Sequence, residues 1–327
     1  MVKQLLISFI FTAEISVVTM LDKIIYSTQN TEYLSAEIAQ IVNIPFGKID
    51  WVKFEDEEFE IQICDRFAPL NKHVIIVGSA ESLRYYADIA DLISTFKQQY
   101  RACIVDVIVS YIGYSTAERS KPNTGICPRG IYRVQSLFDP QPRKITFFDL
   151  HAEGIMNVGG RNGIAEHIYS EPMVIDIINE IKKEDSDLVL VSPDAGRGKW
   201  VKSLSDKTDL PHDIMSKDRY GIDKVKLSGA SSVVKGKVVV MFDDMIRSGN
   251  TAIKAAELIM NAGAKEVRLI ASHAILPKTE MVDAEKRMHD SVISKIYVTN
   301  SHSRTQSITS SKFEVRSVAP LLAGCIC

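Results

Sequence analysis

Short apolar runs alternate along this chain with amphipathic stretches. Residues 23–26, 73–77, 103–109 and 145–149 are apolar runs of strand length, and residues 31–42 and 82–96 have the character of helices. The second half repeats the order, with strands expected over 188–191, 238–242 and 267–271 and helical patterns between them. Such alternation predicts an α/β protein of two similar domains in tandem. The boundary is expected near His167 to Pro172, where a proline precedes a new helical pattern, giving residues 20–167 and 168–327. Residues 1–19 read as an extension. An apolar run over 5–11 follows Lys3, but Glu14 interrupts it, no small-residue cleavage site follows, and the run is too short to span a membrane.

Composition narrows the setting. A chain of 327 residues can form two domains of ordinary size, and a net charge of −2 gives no electrostatic reason to expect nucleic-acid binding. The five cysteines are scattered, without zinc spacing or a disulfide framework, which favours a reducing cytoplasm. The terminal Cys325-Ile326-Cys327 reads as structurally neutral.

Residues 237–260 carry the strongest chemical signal. An apolar strand is expected to end at Asp243-Asp244, and Ile253, Ala256 and Met260 then fall on one helix face that Gly263 terminates. Between them lies Met245-Ile246-Arg247-Ser248-Gly249-Asn250-Thr251. Glycine permits a tight turn there, and hydroxyls, backbone N–H groups and a helix N-terminus converge as a phosphate cradle. The two carboxylates cannot bind phosphate but can accept from neighbouring sugar hydroxyls, so the pattern fits a ribose phosphate. The stretch resembles the phosphoribosyl diphosphate loop of the type I phosphoribosyltransferase fold.

Further stretches align with one family. They are Lys53-Phe54-Glu55-Asp56-Glu57-Glu58, Phe148-Asp149-Leu150-His151-Ala152-Glu153, Ser192-Pro193-Asp194-Ala195-Gly196-Arg197, Ser216-Lys217-Asp218-Arg219 and Ser317-Val318-Ala319-Pro320-Leu321-Leu322. In this order and spacing, from about Met20 to the C-terminus, the chain resembles the ribose-phosphate pyrophosphokinase family. The resemblance implies two tandem type I phosphoribosyltransferase-like domains, each a mainly parallel sheet flanked by helices. It further implies transfer of the β,γ-diphosphoryl group of Mg-ATP to the anomeric hydroxyl of ribose 5-phosphate. Asp243 and Asp244 would take the sugar hydroxyls, while Arg247, Ser248, Gly249, Asn250 and Thr251 would take the 5-phosphate. His151 and Asp194 would hold Mg²⁺. Phe54 would stack on adenine with Asp56 and Glu58 at its polar edge, and His151 would also face the ATP phosphates. Lys217 and Arg219 would be the catalytic cations of a mobile loop. AMP or ADP enters as product or effector. A homo-oligomer, dimer or hexamer, is implied, with no nucleic acid or membrane as partner.

Departures from the family pattern accompany the matches. Tyr114-Ser115-Thr116-Ala117-Glu118-Arg119 stands where the family's ATP loop reads Y-A-R-Q-D, leaving Arg119 or Lys121 to substitute for its cation. Glu57 replaces a glycine near the adenine contact. Arg247 stands where an acid is common, and Arg197 replaces the second glycine of the D-A-G-G match; a cation beside either loop would either strengthen anion binding or mark altered regulation. Two other readings share these motifs. A catalytically weak regulatory homologue fits the altered ATP loop but not the retention of His151, Asp194, Lys217 and Arg219. A base phosphoribosyltransferase shares the ribose-phosphate loop but carries a base-binding hood in place of a second similar domain.

Overall fold

The computed structural model describes residues 22–56, 58–65, 68–119, 127–161, 163–193, 195–217, 225–227, 233–279 and 283–326. Only the backbone is described for 158–161, 195, 216–217 and 225–227. Residues 1–19, Asp194, Asp218, Arg219, Glu57 and Lys121 therefore lie outside the described residues, and Lys217 is described in its backbone alone.

In chain order the first seven strands are β1 (Lys23–Ser27), β2 (Ile49–Lys53), β3 (Phe59–Ile63), β4 (His73–Ala80), β5 (Ile104–Ile112), β6 (Lys144–Phe148) and β7 (Ile164–Ile168). Strands β1-β4-β5-β6-β7 form a parallel sheet in that order, while β2 and β3 make a separate antiparallel hairpin. The remaining strands are β8 (Leu188–Ser192), β9 (His212–Lys217), β10 (Val225–Leu227), β11 (Val238–Ile246), β12 (Glu266–Ala274), β13 (Lys295–Thr299) and β14 (Phe313–Arg316). They form one sheet in the order β10-β9-β8-β11-β12-β13-β14, parallel except for the β10 edge. The expected α/β architecture is thus present, built on two sheets, each of them mainly parallel and flanked by helices.

Both faces of each sheet are covered, which is why the strands read as unbroken apolar runs. In the first sheet Ile24, Tyr26, Val74 and Ile76 face the helix α2 (Leu83–Gln98) through Tyr86, Ile89 and Phe96. Their neighbours Ile25, Ile75 and Val77 point the other way, towards Leu34 and Ile38 of α1 (Glu32–Val42). That second face is completed from the far end of the chain, by Val318, Ala319, Leu322 and Ile326. The second sheet alternates likewise. Val239 and Met241 pack with Ala252, Ala256 and Ile259, whereas Val238 and Val240 pack with Val174, Ile177, Val201 and Leu204. Burying both faces of a five-residue strand at about 25 cal/mol per Å² makes these layers the dominant stabilising term.

The sheets meet through polar groups. Ser79 and Ser110 donate to the carbonyl of Ser301, Tyr33 donates to that of Asn300, and the Ser272 and Ser170 hydroxyls lie 2.9 Å apart. In the second sheet the strand order reverses between β8 and β11, and ligands of open α/β sheets bind at the carboxyl ends of strands at such a switch.

Candidate active site

The sequence places Asp243-Asp244 at the end of a strand; the structure extends β11 through both to Ile246, because β12 continues to pair with it as far as Ala274. The carboxylates therefore sit on ladder backbone, a firmer mount than a loop. Asp243 is partly exposed and its Oδ1 accepts the Asp244 N–H at 2.9 Å. Asp244 is 3% exposed.

After Arg247 and Ser248 the chain turns at Gly249, whose φ of +78° is in the left-handed region that favours glycine. The helix α6 (Asn250–Asn261) starts there, its Asn250 N–H making a long 3.5 Å contact with Ser248 Oγ, and a helix start of this kind suits an anion. A Cβ on Gly249 would lie 2.3 Å from Met288 Sδ, so the loop rests directly on the short helix Ala284–His289. Arg287 of that helix donates to Asn250 Oδ1 at 2.8 Å and to the Ser248 carbonyl at 3.3 Å. Arg247 and Thr251 are exposed on the loop. Helix α6 ends at Asn261, with Gly263 at φ +93° two residues on, as its sequence predicts.

His151 comes from the other sheet, three residues past the end of β6, and its Nδ1 lies 2.6 Å from Asp244 Oδ2. The Arg197 Nη2 atom lies 2.8 Å from the same oxygen. Burial by itself would raise the Asp244 carboxyl, but the His151 hydrogen bond and the Arg197 charge outweigh it and hold the group well below the usual carboxylate range. Reciprocally, the Asp244 hydrogen bond raises His151 against the opposing effect of burial. Burial opposes the charge on Arg197 as well, yet Asp244 keeps the guanidinium ionised. The sequence reading gave Arg197 to anion binding; in the structure it is turned onto Asp244. A carboxylate buried between two sheets attracts the nearest cation, and the missing glycine supplies one.

With Nδ1–H on Asp244, Nε2 of His151 is the bare nitrogen of a ring that is 36% exposed. A histidine whose other N–H is held by a carboxylate is oriented as a metal ligand, so this side chain suits a cation site. Burial raises Tyr111 to about 12, with Arg247 acting in the opposite direction; its ring packs on His273 and His302 between the sheets.

Among the described residues, the other expected nucleotide contacts show no hydrogen bond or ion pair with His151 or Asp244, although the charge of Glu118 bears on His151. Phe54 lies at the tip of the β2–β3 hairpin, 45% exposed, and the hydrogen bonds of that tip close on itself, Phe54 N to Glu58 O and Glu58 N to Asp56 Oδ1. Arg119 is exposed and paired with its neighbour Glu118 at 3.3 Å. Arg287, His167 and His273 escaped the sequence reading, because single cations and histidines within ordinary helix or strand patterns carry no local signal.

Two family models match this chain: the N-terminal domain of ribose phosphate pyrophosphokinase over residues 23–133 and the phosphoribosyl transferase domain over residues 165–304. A ribose-phosphate pyrophosphokinase 1 of Listeria innocua is 29% identical over 304 residues, covering 92% of this chain and 92% of its own. The Bacillus subtilis ribose-phosphate pyrophosphokinase is 26% identical over 302 residues, again covering 92% of each. Among solved structures, phosphoribosylpyrophosphate synthetase from Mycobacterium smegmatis superposes with a TM-score of 0.83 at 22% identity, over 93% of this chain and 97% of that one, which shows a shared fold. With both family domains present in order and the likeness running nearly end to end, the chain belongs to the ribose-phosphate pyrophosphokinase family.

Proposed function

We propose that this chain is a ribose-phosphate diphosphokinase. The anomeric hydroxyl of ribose 5-phosphate attacks the β-phosphorus of ATP, the bond from that phosphorus to the AMP oxygen breaks, and phosphoribosyl diphosphate and AMP are the products. Such a transfer needs positioning and charge stabilisation more than a covalent intermediate. The observation that carries the reading is the contact of His151 with Asp244 at 2.6 Å. It joins the turn that resembles the family's nucleotide contact to the strand that leads into the ribose-phosphate loop.

In this reading the N–H groups and hydroxyls of Ser248, Gly249, Asn250 and Thr251 hold the 5-phosphate, with Arg247 adding charge. Asp243 and Asp244 accept from the sugar hydroxyls. His151 Nδ1 and Arg197 Nη2 both meet Oδ2, so Oδ1 is the oxygen it offers. His151 Nε2 and Asp194 would hold Mg²⁺, an ion that takes few protein ligands and keeps its remaining positions for water and phosphate oxygens. Bound there, it would supply positive charge against the phosphates. Phe54 stacks on adenine, Asp56 and Glu58 reach its polar edge, and Arg119 contacts the phosphates. Lys217 and Arg219 close over the triphosphate and stabilise charge that develops in the transition state. The working form is a cytoplasmic homo-oligomer that responds to AMP or ADP. No helix among the described residues is long and apolar enough to cross a membrane.

The deciding experiment supplies the chain with Mg-ATP and ribose 5-phosphate and no nucleobase. AMP and phosphoribosyl diphosphate should appear in equal amounts. Silence in that assay, with turnover only when phosphoribosyl diphosphate and a base are supplied, would replace this reading with a base phosphoribosyltransferase.

A further inference from the structure

One peptide group next to His151 is gripped on both sides. Asp149 follows β6 in the left-handed region, with φ +41°, a backbone state that Asp adopts more readily than most non-glycine residues. Its carbonyl oxygen lies 3.0 Å from Nε2 of His273, on β12 of the second sheet. The amide of the same peptide, Leu150 N–H, lies 2.8 Å from Nε2 of His167, on β7 of the first. A carbonyl can only accept and an amide N–H can only donate, so the two rings are forced into different forms. His273 must carry its proton on Nε2, which leaves Nδ1 to accept from the Ser301 hydroxyl at 2.7 Å. His167 must be bare at Nε2 and protonated at Nδ1.

We propose that His167 and His273, as imidazoles of opposite tautomer, clamp the Asp149–Leu150 peptide and are positioning residues for His151. The inference rests on the reading of His151 as a contact to metal and nucleotide. Three observations support it. Asp149 is tied at further points, its N–H to the Ile168 carbonyl at 2.8 Å and its Oδ1 to the Ser170 N–H at 3.2 Å. Its Oδ2 is buried without a hydrogen-bond partner among the described residues. The Nδ1 atom of His167 has no hydrogen-bond partner among the described residues, so the ring's one described hydrogen bond is the one it accepts from Leu150. Burial depresses both rings below the usual histidine range, so both stay neutral and the two tautomers persist. Held this way, His151 meets Asp244 through Nδ1 and presents Nε2 in a single direction.

Nitrogen NMR of the histidine rings in the full-length wild type tests the clamp directly. The expected spectrum has His167 protonated at Nδ1 and His273 at Nε2; the same tautomer in both, or averaging between forms, overturns the proposal. A second test replaces the acceptor. His167→Leu should speed hydrogen exchange at the Leu150 amide and weaken Mg²⁺ activation by up to about 10-fold, the low end of the loss seen when a direct partner of a metal ligand is removed, because His167 acts through the backbone. The KM for ribose 5-phosphate should hold. His167→Gln, which restores an acceptor, should recover both slow exchange and Mg²⁺ activation. If Leu150 exchanges faster in His167→Leu while Mg²⁺ activation and kcat stay at the parent values, the positioning role is wrong. A parent chain that forms no phosphoribosyl diphosphate would defeat the proposed reaction, while the ring spectra and Leu150 exchange would still judge the clamp.

Discussion

Nδ1 of His151, beyond the fourth strand of the first sheet, lies 2.6 Å from Oδ2 of Asp244, within the central strand of the second. One buried carboxylate thereby ties the turn after β6 to the approach to the phosphate loop, and Arg197 shares the same oxygen. Because His151 and Arg197 both meet Asp244, this acid and the neighbouring Asp243 should separate on mutation.

Asp243→Ala should weaken ribose 5-phosphate by about 1.5 to 3 kcal/mol, the range for hydrogen bonds to a charged group, and leave nucleotide binding nearly unchanged. Asp244→Ala should weaken both ligands and also destabilise the fold by about 3 kcal/mol, the low end for a broken buried pair because His151 is part exposed. Calorimetric titration with each ligand, together with urea unfolding, distinguishes the two. Identical behaviour of the variants would remove the special position of Asp244.

Lys217 is the last residue of β9, where the chain enters a polar stretch rich in charge. If Lys217 and Arg219 act on the transition state, Lys217→Ala and Arg219→Ala should each lower kcat by about 10²- to 10³-fold while ATP binding changes far less. Steady-state kinetics alongside direct nucleotide binding measures both quantities. Parent-like turnover in both variants makes the stretch a charged surface and no more.

Gly249→Ala meets two obstacles, the left-handed φ of +78° and a Cβ contact of 2.3 Å with Met288 Sδ. It should raise the KM for ribose 5-phosphate and cost about 1 to 3 kcal/mol of stability. Adding Met288→Ala should relieve the clash without relieving the backbone. A double variant that binds ribose 5-phosphate like the parent would show that the turn does not need glycine.

Asp88 lies on α2, 6% exposed, with Oδ2 buried and lacking a hydrogen bond although Arg84 Nε is 3.5 Å away. Burial, partly offset by Arg84, raises its carboxyl from 3.8 to about 6. The folded state thus binds the proton more tightly than the unfolded chain, and stability falls as pH rises from about 4 to about 6, then levels off. Asp88→Asn imitates the protonated form. It should gain roughly 2 to 3 kcal/mol at pH 7.5 and little at pH 4, measured by urea unfolding at both values. Equal effects at the two pH values would mean that the carboxyl titrates normally.

Much of the fold was legible because the strands are buried on both faces: Val238 to Phe242 can be little else than an interior strand. The glycine turn after β11 was legible for the same local reason, since Gly249 and its hydroxyl-bearing neighbours are consecutive. The end of β11 was misjudged because the polar pair Asp243-Asp244 looks like a terminus, whereas pairing with β12 overrides that local signal. The union of His151, Arg197 and Asp244 was invisible for a different reason. It joins residues up to 93 positions apart, and no period or spacing reports such a contact.

The back of the first sheet is finished by Val318, Ala319, Leu322 and Ile326, which pack beside Ile25, Leu34 and Ile38. During synthesis, then, the first half of the chain leaves the ribosome with an apolar patch that its own residues cannot cover. Translation proceeds at about 5 to 20 residues per second, so that patch stays open for many seconds after β1 has emerged. The nascent chain is most exposed to wrong partners and chaperones over that interval. A truncation before Val318 would make the temporary exposure permanent, even though every strand of the first sheet had been made.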